Sequence, residues 1–158
     1  MKVYCDGSAH PNPGQGGYGI VVYDDNDKYI SCYSHQESMT TNNIQELKAI
    51  LFTLAKYGNI PNVTVYSDSS YAVNTYTTWM WNWANNGWVK SDKKVPDNLE
   101  IIQAYYDLIL KGHKINLVRI KGHCGIEGNE IADKLATGAW KTQDVEEYFY
   151  KKEKINAN

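Results

Sequence analysis

Val3-Tyr4-Cys5-Asp6-Gly7-Ser8-Ala9-His10-Pro11-Asn12-Pro13-Gly14-Gln15-Gly16-Gly17-Tyr18-Gly19-Ile20-Val21-Val22-Tyr23 opens the chain and decides its class. Val3-Tyr4-Cys5 reads as a strand and Gly19 to Tyr23 as a second. Between them, Asp6 to Gly19 is crowded with Gly and Pro and reads as turn and loop. Asp24-Asp25-Asn26-Asp27 is a polar turn, and Lys28 to Ser34 is a third strand. Three strands with short links suggest an antiparallel meander.

Beyond this opening the hydrophobic period changes. Ile44, Leu47, Leu51, Leu54 and Ala55 recur at spacings of three and four, so they line one helix face. Thr41 or Asn42 can cap that helix, and Gly58 and Pro61 end it. Val63 to Tyr66 is β-branched and aromatic, as a central strand should be. A second helix is expected after Asp68, with Ser69 or Ser70 near its start. Trp79 to Pro96 is aromatic, Asn-rich and Lys-bearing. Leu99 to Leu110 reads as a helix capped by Asp97 or Asn98. Ile115 to Ile120 reads as the last strand, Gly122 to Gly128 as a glycine-punctuated loop, and Glu130 to Ala139 as a final helix. The charged tail from Lys141 is expected to fray or to extend that helix. An antiparallel start followed by βα crossovers predicts an α/β fold: a five-stranded mixed sheet, three antiparallel strands then parallel ones, with helices on both faces.

At 158 residues the chain is long enough for one domain with a proper core. Its net charge of −2 argues mildly against a binder held mainly by electrostatics. A cluster of acids holding cations would lower that sum without excluding a basic patch elsewhere. Cys5, Cys32 and Cys124 are odd in number and widely spaced, which is neither a disulfide framework nor a zinc pattern. With no signal-peptide pattern and no apolar run of bilayer length, a cytoplasmic protein without membrane attachment is expected.

Four acids stand at the ends of elements. Asp6 follows the first strand and Asp68 the Val63–Tyr66 strand. Glu46 lies in the first turn of the long helix, and Asp133 in the first turns of the last. Ligands gather where strand ends and helix starts converge in such sheets. Taken singly, each acid has a plainer role as a turn former or a complement to a helix dipole. Taken together, they would repel unless cations lay between them. Oxygen-only donors favour Mg²⁺ or Mn²⁺ over zinc.

The flanks of these acids are specific in combination. Asp6-Gly7-Ser8, Asn12-Pro13-Gly14 and Gly16-Gly17-Tyr18-Gly19, then Thr41-Asn42-Asn43 with Glu46-Leu47, Ser67-Asp68-Ser69 with Tyr71, and Lys121-Gly122-His123 with Gly125, Gly128-Asn129-Glu130 and Asp133 together resemble type 1 ribonuclease H. The resemblance spans about residues 1–140, leaving 141–158 as a charged tail. It implies an RNase H-like fold and an endonuclease that hydrolyses the RNA strand of RNA–DNA hybrids, chemistry for which a monomer without an obligate protein partner suffices. It implies two Mg²⁺ ions, for which Mn²⁺ can substitute, held by Asp6, Glu46, Asp68 and Asp133. It implies His123 as an auxiliary catalytic residue on the loop, and products with 3′-hydroxyl and 5′-phosphate ends. Asn12, Asn42 and Asn43 become candidates for the hybrid's minor groove, with turn formation and capping as their plainer roles. Trp79, Trp83, Lys93 and Lys94 match the family's basic protrusion, and Thr41 and Asn98 part of its DNA-phosphate pocket.

Several positions depart from the family. Ala84, Asn85, Asn86, Val89 and Asp97 stand where bacterial members often carry cations, Met39 where an arginine is frequent, and Ser70 where a glutamine is common. Weaker hybrid binding with a shallower salt dependence is the expectation. A strand-transfer or resolvase-type nuclease and a catalytically silent binding module remain the competing readings.

Overall fold

The computed structural model describes residues 1–157. Its sheet has the order β3-β2-β1-β4-β5, from β1 (Lys2–Ala9), β2 (Gly14–Tyr23), β3 (Tyr29–Thr40), β4 (Thr64–Ser67) and β5 (Asn116–Arg119). β1, β2 and β3 pair antiparallel, while β4 is parallel to β1 and β5 parallel to β4. The helices are α1 (Asn42–Tyr57), α2 (Ser70–Asn74), α3 (Met80–Asn85), α4 (Leu99–Leu110), α5 (Glu127–Thr137) and α6 (Thr142–Ala157), with a π-helical turn, Thr75–Trp79, joining α2 to α3.

Alternation along the strands builds two cores. Val3, Cys5, Ile20, Val22 and Val65 point to one face and pack with Leu47, Ile50 and Leu54 of α1 and Ile102 of α4. Val21 and Tyr23 point to the other face and pack with Ile131, Ala132 and Leu135 of α5 and Val145 of α6. Helices therefore cover both faces, as the mixed pattern of elements requires.

The expected loop from Asp6 to Gly19 is instead strand on both sides of a short His10–Pro13 connection. Its glycines serve packing more than turning. A Cβ on Gly7 would lie 2.3 Å from the Glu46 backbone nitrogen, and one on Gly19 would lie 2.3 Å from the Ala132 carbonyl oxygen. Glycine lets α1 and α5 seat directly on the strands. β3 likewise runs on to Thr40, well past Ser34.

Two other expectations are corrected, and the cap of α4 is met in position only. α5 begins at Glu127, three residues before the expected Glu130, so Asp133 sits in its second turn. Asn98 occupies the cap position of α4, but in a left-handed conformation with no side-chain cap bond; its Nδ2 donates to the Tyr71 hydroxyl at 3.2 Å. The tail from Lys141 neither frays nor extends α5. Gly138, at φ 81°, ends that helix, and α6 turns back to bury Val145 and to stack Phe149 on Tyr29 with ring centres 4.1 Å apart. Among the described residues no helix is long and apolar enough to cross a membrane.

Candidate metal-binding active site

The central parallel pair sets the site. Asp6 follows Cys5 in β1, and Asp68 follows Ser67 at the end of β4; Cys5 and Ser67 are register partners. Parallel register thus delivers both carboxylates to the same edge of the sheet. α1 starts over that edge because Thr41 caps it, its Oγ1 accepting from the Ile44 N–H at 3.1 Å. The close Gly7 contact then presses Glu46 down beside Asp6. One carboxylate oxygen from each of Asp6, Glu46 and Asp68 lies within 4.8 Å of the others. Asp133 reaches the same open cleft from α5, as do His123, Asn42, Asn43, Ser8, Ser69, Ser70 and Tyr71.

The electrostatics are those of an unbalanced anionic cluster. Burial, followed by the charges of Glu46 and Asp68, raises the Asp6 carboxyl far above the ordinary carboxylate range. Burial and then the charge of Asp68 raise Glu46 as well. Glu46 Oε2 is buried and has no hydrogen-bond partner among the described residues. A residue with an orphaned buried carboxylate oxygen, clustered with two further carboxylates, matches what a hard divalent cation takes as ligands. The residues therefore fit a hard divalent cation.

The loop that leads into α5 is tied to the carboxylates by a residue that motif reading passed over. Asn129 is buried; its Nδ2 donates to Asp68 Oδ2 at 3.2 Å, and its Oδ1 accepts from the His123 N–H at 3.4 Å. One amide thus links a metal-binding candidate to the histidine loop. Its place in Gly128-Asn129-Glu130 was visible, but only its burial reveals the bridging role. Glu130 adds a second tie, accepting from the Gly125 N–H at 3.2 Å. Gly122 leaves room for Asp68, since a Cβ there would come within 2.6 Å of its Oδ2. His123 is exposed with φ 55°, so its ring stands clear of the sheet.

The other candidates flank the cleft. Asn42 Oδ1 accepts from the Ala9 N–H at 2.6 Å, and Asn12 Oδ1 accepts from the Asn42 N–H at 3.1 Å, so these two asparagines brace β1 against α1. Thr41 is engaged as the cap. On the opposite flank Asn98 meets Tyr71, and the Trp79 ring lies 6.4 Å from Tyr71 and 6.2 Å from Trp83. An aromatic row therefore runs from the cleft onto the π-turn and α3. Trp79 is exposed, whereas Trp83 packs partly against the core. Lys93 and Lys94 are exposed in the loop beyond. That loop also carries Asp92, 3.9 Å from Lys90 Nζ, which offsets part of its positive charge.

A five-stranded mixed sheet thus brings a carboxylate cluster able to hold a metal ion to its central strand ends. The RNase H family model matches residues 1–141, and the chain belongs to the RNase H family. It is 37% identical over 139 residues to ribonuclease H of Thermoanaerobacter sp. strain X514, covering 87% of each chain. It is 37% identical over 151 residues to ribonuclease HI of Haemophilus influenzae, covering 95% of this chain and 96% of that one. Among solved structures it is similar to LC11-RNase H1, crystallised in complex with RNA/DNA hybrid, at a TM-score of 0.64 and 25% identity over 85% of this chain and 92% of that one. The chain is a ribonuclease H enzyme, and Asp6, Glu46 and Asp68 are acids able to hold its metal.

Proposed function

We propose that this chain hydrolyses the RNA strand of RNA–DNA hybrids at the Asp6, Glu46, Asp68 and Asp133 cluster, leaving 3′-hydroxyl and 5′-phosphate ends. Residues 1–140 are the catalytic domain, and a monomer suffices. The observation that carries the reading is the orphaned Glu46 Oε2 beside two further carboxylates. Two Mg²⁺ ions, or Mn²⁺ in their place, would be held by these acids and would supply Lewis acidity for the displacement at phosphorus.

The chain's residues do the rest. Asp6, Glu46, Asp68 and Asp133 would hold the cations and so set the position of the scissile phosphate. The hydroxyls and amides of Asn42, Asn43 and Ser69 line the cleft where the ribose lies. A 2′-hydroxyl both donates and accepts, so such groups tell RNA from DNA. Asn12 and Thr41 support that face, and Asn98 supports Tyr71 on the other. Trp79 and Trp83 pack against sugars of the DNA strand, while Lys93 and Lys94 hold its phosphates. As water's oxygen bonds to phosphorus, the P–O3′ bond breaks; His123, exposed on its loop, carries protons between the site and solvent.

A panel of labelled substrates tests this: hybrid, single-stranded RNA, duplex RNA and duplex DNA, each with and without Mg²⁺. Cutting confined to the RNA of the hybrid, and only with Mg²⁺, is the expected result. Cutting of duplex DNA would point to a strand-transfer or resolvase-type nuclease instead, and tight binding of intact hybrid to a silent module.

A further inference from the structure

The loop that carries His123 runs directly into Glu127, the first residue of α5. Glu127 is tied to two other elements. Its Oε1 accepts from the Tyr23 hydroxyl of β2 at 3.0 Å; its Oε2 accepts from the Tyr148 hydroxyl at 2.8 Å and from Lys152 Nζ at 2.5 Å, both on α6. The next residue, Gly128, lies flat on the Tyr4 ring, where a Cβ would come within 2.3 Å of a ring carbon. Tyr4 in turn stacks on Tyr66 at 4.8 Å and meets Tyr23 edge-on at 5.6 Å. The start of α5 is thus held from the sheet by aromatic rings and from outside by α6. Burial by itself would lift the Glu127 carboxyl, but its bonds from Lys152, Tyr148 and Tyr23 prevail and hold it below its ordinary value.

We propose that Glu127 is a positioning residue, through which α6 fixes the His123 loop and the register of Asp133. The loop's own ties, from Asn129 and Glu130, both issue from α5's first turn. Their accuracy depends on where that turn sits. Glu127 sets this with two elements that take no part in the chemistry. Among the described residues, the loop's side-chain bonds to other elements come from α5, and Gly122 packs against Asp68. Loss of the Glu127 carboxylate therefore frees the loop while the carboxylates of Asp6 on β1 and Glu46 on α1 stay in place.

This inference rests on reading His123 and Asp133 as parts of the hybrid-cleaving site, and its test is chosen to separate the two. Amide hydrogen exchange over residues 121–126 is measured for the wild type, Glu127→Ala, the milder Glu127→Gln, and Ile102→Val. Ile102 is buried in the core on the other face of the sheet, so its variant controls for a general loss of stability. Glu127→Ala is expected to speed exchange in the loop at least tenfold more than Ile102→Val does. Glu127→Gln keeps an acceptor oxygen for one of the two tyrosines but loses the second acceptor and the charge facing Lys152, and falls between. On hybrid, Glu127→Ala is expected to lower kcat about tenfold with KM changed less than threefold, and Glu127→Gln to recover part of kcat. Loop exchange equal to that of Ile102→Val, or an unchanged kcat well below Tm, overturns the proposal. If the wild type cuts no hybrid, the function fails, and the exchange data alone still decide whether Glu127 holds the loop.

Discussion

Replacing Gly7 by alanine puts a methyl group where the structure has none to spare. The new Cβ would lie 2.3 Å from the Glu46 nitrogen and 2.4 Å from the Gln45 carbonyl carbon, both backbone atoms that no rotamer change can move aside. Ordinary contact begins near 3.4 Å, so the first turn of α1 must retreat by about 1 Å. The rest of α1 is pinned by the fully buried Leu47, Ile50 and Leu54, so the strain stays local. Overpacking of this kind costs about 1–3 kcal/mol, and in a domain of this size Tm falls by about 3 °C per kcal/mol. Glu46 moves with the turn, away from Asp6 and Asp68. A misplacement of about 1 Å can cost about 10²-fold in rate. Urea and thermal unfolding give the first quantity, and single-turnover hybrid cleavage at saturating Mg²⁺ gives the second. Wild-type Tm and rate in Gly7→Ala would refute the claim that this glycine seats Glu46.

Asp6→Asn is expected to raise the Tm of the metal-free protein at neutral pH while abolishing cleavage. Burial, Glu46 and Asp68 raise the folded Asp6 pKa, so the native state binds its proton more tightly and loses stability as pH climbs through that window; a calorimetric scan in EDTA checks it, and a lowered Tm would contradict it. Glu37 behaves oppositely: its bond from Lys48, with a further one from His35, holds it down from 4.5 to about 2. The stability this supplies is complete above pH 4.5 and drains away as pH falls towards 2, so urea unfolding across that range should show a flatter profile for Lys48→Met. Asp92→Asn frees Lys90 from its partner and is expected to steepen the salt dependence of hybrid binding, by up to about 0.9 in log–log slope; an unchanged slope places that loop away from the phosphates.

Some of this architecture could be read from residue spacing. The 3.6-residue period of Ile44, Leu47, Leu51 and Leu54 located α1, a β-branched and aromatic run located β4, and alternation located β5. The glycine-rich opening misled, because the same residue serves turns and close helix–strand packing. Gly7 and Gly19 do the second, and only the identity of the packing partner distinguishes the two. The start of α5 was missed by three residues because Gly128 reads as a loop residue, whereas it lies in the helix against Tyr4. α6 was hidden by its charge: Lys151, Lys152, Glu153 and Lys154 dominate the tail, while Val145, Tyr148 and Phe149, which do the docking, occupy one stripe. The four acids stood out by their flanks. Their unequal depth did not: Asp6 and Glu46 are buried, and Asp68 and Asp133 are only partly so. Nor could spacing reveal that Asn129 joins Asp68 to the His123 loop, since that bond spans 61 positions of chain.

The central claim is that the buried carboxylates hold the cations that cleave hybrid. The measurement that bears on it most directly is a Mg²⁺ titration of hybrid cleavage for wild type and Asp68→Asn, with product ends analysed. The account predicts Mg²⁺-dependent cutting of the RNA strand by the wild type, 3′-hydroxyl and 5′-phosphate ends, and no cutting by a folded Asp68→Asn at any Mg²⁺ concentration. Wild-type cleavage that persists in EDTA, or full activity in Asp68→Asn, would contradict it.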